Sequence, residues 1–339
     1  MSAQSYLDSI YSYSDQFNQA FSETQQTVIS QDLSGISDII IAGMGGSSFG
    51  GRFVKGAFSS DKLLIPVRVV SEYDLPSYAD EKTLVIATSY SGNTEEVLAM
   101  KDQAKTRGCK LMGITSGGKL GDDIRGGLMD GYIFNPLHNP SGTPRTAIGY
   151  IVGATIGILS KLGHLNYKDN SAAETTAYIK SFTEIMQKED RMTSQISQKI
   201  LGKAPVFVSA EHLVEATHIW RNFLNETAKT VGFAYAIPDM NHHFLDGLLH
   251  PEDIRKHFVF IFIQSDLYNG QNKKRFEVSR EVVKKHGISD ISLTLNAKNP
   301  LHEMWELVVI GSIVSYNLAK IHNADPASNE MVDFLKSQL

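Results

Sequence analysis

"KTLVIATSYSGNTEEVLAMKDQAKTRG" (82–108) runs from a short apolar segment through a hydroxyl-rich loop into a pattern of helical period. Leu84-Val85-Ile86 is too short for a helix, and its unbroken apolar character suits a strand buried on both faces. The next residues are Ser89, Tyr90, Ser91, Gly92, Asn93 and Thr94, more hydroxyl groups than a turn requires. Thr94 stands at an N-cap position, and Glu95 and Glu96 occupy the first helical turn, where the helix dipole favours acids. Open α/β sheets bind ligands at the carboxyl ends of their strands, where free helix N–H groups attract anions. The stretch therefore predicts strand, anion-binding loop and helix in succession.

The same order recurs on both sides. "SDIIIAGMGGSSFGGRFVKGAF" (37–58) is an apolar run, a Gly/Ser turn and a helix-like pattern. "LIPVRVVSEYDLP" (64–76), "CKLMGITSGGKL" (109–120) and "DGYIFNPL" (130–137) read as further strands, the second with a Gly-rich exit. Residues 145–165 form an apolar helix, and the polar stretch 166–203 reads as helices bridging two domains. The alternation then restarts with "APVFVSA" (204–210), a helix over 211–232, "FVFIFIQ" (258–264), a helix over 272–287, "DISLTLN" (290–296) and an apolar helix over 303–321. Short strands alternating with helices indicate parallel α/β sheets. The expected organisation is N-terminal helices (1–35), a first α/β subdomain (36–160), bridging helices (161–200) and a second subdomain (201–339). The second repeat has no Gly/Ser loop of the first kind, which implies one ligand site for the pair.

At 339 residues, with 42% hydrophobic and 20% charged residues, the chain has an ordinary globular composition. A net charge of −5 argues against nucleic acid or an anionic membrane as partner. The single cysteine, Cys109, cannot form an internal disulfide and reads as a small buried hydrophobe. The N-terminus lacks the basic and apolar regions of a signal peptide, and the apolar stretch 304–319 carries Glu306, Ser312, Ser315 and Asn317, so a buried core helix is expected. A cytoplasmic protein is the expectation.

Two loops want an anion: "GMGGSS" (43–48), whose glycines allow close backbone approach and whose Ser47 and Ser48 add donors, and "SYSGNTEE" (89–96). No lysine follows the glycines, as a nucleotide-hydrolase loop requires. A dinucleotide remains a rival, because "GMGGSS" nearly matches G-x-G-x-x-G and Glu72 ends the next strand. However, Ser48 replaces the third glycine, and a dinucleotide does not explain the hydroxyl cluster at 89–94.

The loop pair resembles the SIS (sugar isomerase) domain. The resemblance narrows with "PSGTPRTAIGY" (140–150), "NFLNETAKTVGFAYAIPDMNHHFLDG" (222–247) and the ending "SYNLAKIHNADPASNEMVDFLKSQL" (315–339), which are similar to segments of bifunctional phosphoglucose/phosphomannose isomerases. It runs over about 36–339 and implies two doubly wound, flavodoxin-like parallel-sheet subdomains with bridging helices. It implies Gly46, Ser47, Ser89, Ser91 and Thr94 as phosphate contacts, Arg145 beside the substrate, Glu226 as catalytic base, His242 as ring-opening histidine and Lys336 as an active-site lysine. His242 is preferred to His243 because it directly follows Asn241. The resemblance further implies a phosphosugar substrate, no metal or other cofactor, and a homodimer with a shared active site.

The residue types suit the chemistry. Moving a proton between C1 and C2 of an aldose or ketose 6-phosphate needs a carboxylate base, a ring-opening group and positive charge beside the oxygens that become anionic. Partial burial near Phe223 and Ala228 would strengthen Glu226 as a base, His242 can carry protons both ways, and Arg145 is permanently charged. Histidine and cysteine spacings lack paired metal-ligand patterns. After Asp325-Pro326 the chain has Ala327-Ser328-Asn329 where relatives carry Thr-Pro, a region linked in the family with accepting the mannose epimer, so glucose 6-phosphate activity is the firmer expectation. The rival readings are another phosphosugar or aminosugar enzyme of this fold, a non-catalytic phosphosugar sensor, and a dinucleotide oxidoreductase.

Overall fold

The computed structural model describes residues 3–58 and 61–338 (for Ile254, the backbone). The chain divides into two compact units, Tyr11–Ser181 and Met1–Ile10 with Phe182–Leu339. The division cuts through both 1–35 and 161–200, so each expected helical segment contributes to two units.

In the unit Tyr11–Ser181, β1 (Asp38–Gly43), β2 (Val67–Val70), β3 (Thr83–Ser89), β4 (Lys110–Thr115) and β5 (Asp130–Ile133) form one sheet in the order β2-β1-β3-β4-β5. Every pairing is parallel. Side chains alternate between faces along a strand. Ile40, Ala42 and Val85 pack with Met100, Ala104 and Cys109 on one face, while Ile41 meets the helix Phe49–Ala57 at Gly51 on the other. Both faces are covered, which is why the strands read as continuous apolar runs. Burial pushes the Cys109 thiol pKa up, as expected for a cysteine acting as a small hydrophobe.

The order is doubly wound, with its switch point between β1 and β3. Registers Gly43↔Thr88 and Ser89↔Thr115 bring the carboxyl ends of β1, β3 and β4 level. The three loops that leave them therefore open on one edge.

The helix Tyr13–Gln26 carries few apolar residues, but Tyr13, Phe17, Ala20 and Phe21 are all buried. It packs against the helix Ile148–Lys161 through Gly149, Gly153 and Gly157, spaced one turn apart. A Cβ at Gly153 would stand 2.6 Å from the Phe17 carbonyl oxygen, and one at Gly157 would stand 2.0 Å from Thr24 Oγ1. The two helix backbones approach closely because these three side chains are absent.

In the other unit, β6 (Ala204–Ala210), β7 (Phe233–Ile237), β8 (Phe258–Ser265) and β9 (Ser289–Leu295) pair in parallel in the order β7-β6-β8-β9. β7 is an edge strand whose half-exposed residues give no alternation, so periodicity does not mark it. The apolar helix is Pro300–Ile321, long and apolar enough to cross a membrane by length and composition, yet 83% of its most apolar window is buried in the structure. It packs against the helix Leu213–Ala228, with the Trp220 ring where a Gly311 side chain would be.

The glycine stripe yields a stability prediction. Gly153→Leu forces the two helices apart and should lower unfolding free energy by about 1–3 kcal/mol in urea titration. Gly270→Ala, at a helix start with open space around it, should be neutral within about 0.5 kcal/mol.

Candidate active site

Three strand exits meet at the first sheet's switch point. β1 ends at Gly43, Gly45 turns the backbone at φ +48°, and Gly45–Ser48 forms a 3-10 turn. After β3, Gly92 adopts φ +71°, and a Cβ there would lie 1.8 Å from the Gly117 carbonyl oxygen. Only glycine fits where the loop after β3 touches the loop after β4.

The predicted phosphate residues hold one another. Ser47 Oγ accepts the Tyr90 N–H at 3.0 Å and joins the first two loops. Ser89 Oγ accepts the Gly92 N–H at 3.0 Å and shares a hydrogen bond with Thr94 Oγ1 at 2.8 Å. Ser91 Oγ accepts the Asn93 N–H at 3.3 Å. Thr94 occupies the cap position of the helix Glu95–Thr106, but its hydroxyl pairs with Ser89 instead of capping. The first helical N–H groups are thus left to solvent or a ligand. A hydroxyl has one proton and two lone pairs, so Ser47, having accepted from Tyr90, keeps its proton to donate. Ser47 and Ser89 are buried, whereas Ser91 is exposed.

Arg145 belongs to the same unit. It is buried in a 3-10 turn, Pro144–Thr146. A Cβ at Gly46 would lie 3.2 Å from the Pro144 carbonyl oxygen and 3.4 Å from Arg145 Cα, so the Gly/Ser loop lies directly against the arginine's backbone. Gln16, fully buried, fastens this segment from the other side. Its amide donates to the carbonyls of His138 and Thr146, each at 2.9 Å, and accepts the Gly149 N–H at 3.1 Å. Nothing in the polar segment 1–35 singles Gln16 out.

The remaining predicted residues lie in the other unit. Glu226, in the last turn of the helix Leu213–Ala228, is half-buried between buried Phe223 and Ala228. It lines a cavity of about 660 Å³ with Asn225, Lys229, Asp325, Ser328 and Asn329. Lys229 ends the helix at φ +54°, and its ammonium donates to the carbonyls of Glu226 and Ser328, each at 2.6 Å. The segment after Asp325 is thereby strapped beside the glutamate. The sequence gives no signal of this clamp, because a lysine on a helix surface is ordinary at such a position.

His242 ends a 3-10 turn, Asp239–His242, and is exposed. Its neighbour His243 lies 3.5 Å from the Asp239 carboxylate and lines a separate cleft with Asn241, Asp246 and His286. Lys336, on the helix Glu330–Ser337, is exposed. Neither His242 nor Lys336 lines the Glu226 cavity. Among the described residues, no three His, Cys, Asp or Glu side chains group so as to hold a metal ion.

The second sheet's switch point, between β6 and β8, is filled by the chain's own groups. Tyr268 OH accepts the Ala210 N–H at 3.1 Å. The Glu211 carboxylate accepts from the Asn269 N–H and the Asn272 amide at 2.8 and 2.7 Å. Buried Glu303 accepts from Ser265 Oγ and meets His212 Nε2, each at 2.6 Å. A carboxylate of the protein thus stands at the start of the helix Gly270–Lys285, bonded to its cap residue Asn269.

Residues 32–119 match the SIS domain, and residues 189–339 match the bacterial phospho-glucose isomerase C-terminal SIS domain. A bifunctional phosphoglucose/phosphomannose isomerase of Caldicellulosiruptor bescii is 30% identical over 341 residues, 98% of each chain. One from Thermoplasma acidophilum is 28% identical over 311 residues, covering 89% of this chain and 90% of its own. The crystal structure of a hypothetical protein from Thermus thermophilus superposes with a TM-score of 0.77 at 14% identity, covering 97% of this chain and 89% of its own, a likeness of fold. With two parallel α/β units and near-full-length similarity to such enzymes, the chain belongs to the bifunctional phosphoglucose/phosphomannose isomerase family.

Proposed function

We propose that the chain interconverts glucose 6-phosphate, and mannose 6-phosphate, with fructose 6-phosphate through an enediolate. One observation carries the reading most directly: the hydroxyl-lined switch point and a buried arginine are in backbone contact at Gly46. A phosphate clamped by Ser47, Ser89, Ser91, Thr94 and the Gly46 backbone anchors one end of the sugar. Arg145 supplies positive charge to the oxygens that become anionic at the other.

In this mechanism His242 and Lys336 open the ring by moving the O1 proton to the ring oxygen. The Glu226 carboxylate then takes the C2 proton and returns it to C1, while a proton passes from O2 to O1. The intermediate is planar at C2, so glucose and mannose 6-phosphates share it, and the face on which C2 is reprotonated decides the epimer. Ser328 lines the Glu226 cavity, with its hydroxyl donating to the Asp325 carbonyl at 3.2 Å. This supports glucose 6-phosphate as the better aldose, because the hydroxyl is already turned toward its own backbone.

The exposure of His242 supports a homodimer in which each chain lends this histidine to its partner's site. The carboxylate, imidazole, ammonium and guanidinium groups suffice for the proton transfers without a cofactor. A net charge of −5 and a buried apolar helix support a cytoplasmic enzyme.

A coupled assay in the presence of EDTA, offering each aldose phosphate separately, tests the reading. Wild type should turn over both, with glucose 6-phosphate faster, and Glu226→Gln should lower kcat by roughly 10²–10⁴-fold with KM little changed. Normal turnover by Glu226→Gln sinks the assigned base, and phosphosugar binding without turnover by wild type favours a sensor. Removal of residues 334–339 should abolish activity, and full activity of that truncation removes Lys336 from the mechanism.

A further inference from the structure

Tyr90 lies within the phosphate loop, yet the proposed chemistry gives it no task. All its polar groups are engaged. Its N–H donates to Ser47 Oγ at 3.0 Å. Its carbonyl accepts from the Ser116 N–H at 3.1 Å and from Ser116 Oγ at 2.7 Å. Its hydroxyl accepts from Asn139 Nδ2 at 3.1 Å. Asn139 in turn uses its whole amide. The second N–H donates to the Thr143 carbonyl at 3.0 Å, and Oδ1 accepts from Ser141 Oγ at 3.0 Å and Thr146 Oγ1 at 2.8 Å. Ser141 and Thr143 each pair with Thr146 Oγ1, at 2.6 and 2.7 Å. Asn139, Ser141, Thr143 and Thr146 are all buried, and the last two flank the Pro144-Arg145 pair.

So much buried polarity within one short segment is costly unless each group is satisfied, and a satisfied network holds one geometry. The network grips the backbone that carries Arg145, and Tyr90 is its link to the phosphate loop. We infer that Tyr90 and Asn139 are positioning residues that set the distance between the bound phosphate and the Arg145 guanidinium, and so govern the chemical step more than phosphate binding. The inference rests on the role proposed above for Arg145. Isomerisation happens at C1 and C2 while the anchor is on C6. An error in that distance displaces the guanidinium from the enediolate oxygens without loosening the anchor.

Tyr90→Phe removes one oxygen and keeps the ring that packs 5.7 Å from Phe134. It should lower kcat about tenfold, with KM and the inhibition constant of inorganic phosphate within roughly twofold of wild type. Asn139→Ala should act in the same direction and further. In an Arg145→Lys background, Tyr90→Phe should add less than about twofold, because both changes act through one group. Unchanged kcat in both Tyr90→Phe and Asn139→Ala overturns the inference. So does a parallel rise in KM and phosphate inhibition constant, or a full tenfold loss from Tyr90→Phe when Arg145 is already lysine. Full activity of Arg145→Lys removes the role of Arg145 itself and the inference with it, an outcome distinct from a Tyr90 result that fails while Arg145→Lys is impaired.

Discussion

Parallel pairing of β1 with β3 is the constraint on which the candidate site depends. The strands run side by side with Gly43 level with Thr88, yet β2 lies outside β1 and β4 lies outside β3. Their connections leave in opposite directions and cannot fill the space between. That divergence opens a crevice at the carboxyl edge, and the sequence lines it with small and hydroxylated residues. The Ser47–Tyr90 hydrogen bond then fastens one wall to the other.

The second sheet shows what happens when the same divergence is closed. Its strand order has an equivalent switch point, but Tyr268, Glu211 and the Ser265–Glu303–His212 cluster occupy it. Glu211 accepts the N–H of the cap residue Asn269 and the side-chain amide of Asn272, setting a negative charge at the start of the next helix, where an anionic ligand would otherwise be favoured. This agrees with the absence of a Gly/Ser loop after "APVFVSA". The two sheets, alike in strand order but for an extra edge strand in the first, thus differ in whether the chain supplies its own anion, and in the second unit Glu226 lines a cavity beside the strap after Asp325 instead.

Much of the architecture was legible in the sequence because strands buried on both faces must be apolar throughout, and loops that approach an anion must be small. The runs at 39–42, 84–87 and 259–263 and the loops at 43–48 and 89–94 announce themselves on those grounds. β7 did not, since its residues are half-exposed without alternation. The helix Tyr13–Gln26 was legible as a helix but not as a core element. Its burial depends on glycines more than a hundred residues away, which matter for the side chains they lack.

By itself the sequence determined the alternation of strand and helix, the small and hydroxylated make-up of the loops at 43–48 and 89–94, and the family to which the chain belongs. Only tertiary structure decided the strand order, and hence that 43–48 and 89–94 share one crevice while the exits at 211 and 265 are plugged. It alone put Gln16 and Asn139 on the Arg145 segment and Lys229 across to Ser328. Local patterns report whether a residue is buried and how its backbone turns, because those depend on near neighbours. A hydrogen bond between Gln16 and Thr146 depends on two helices meeting, and no local pattern encodes a partner that distant.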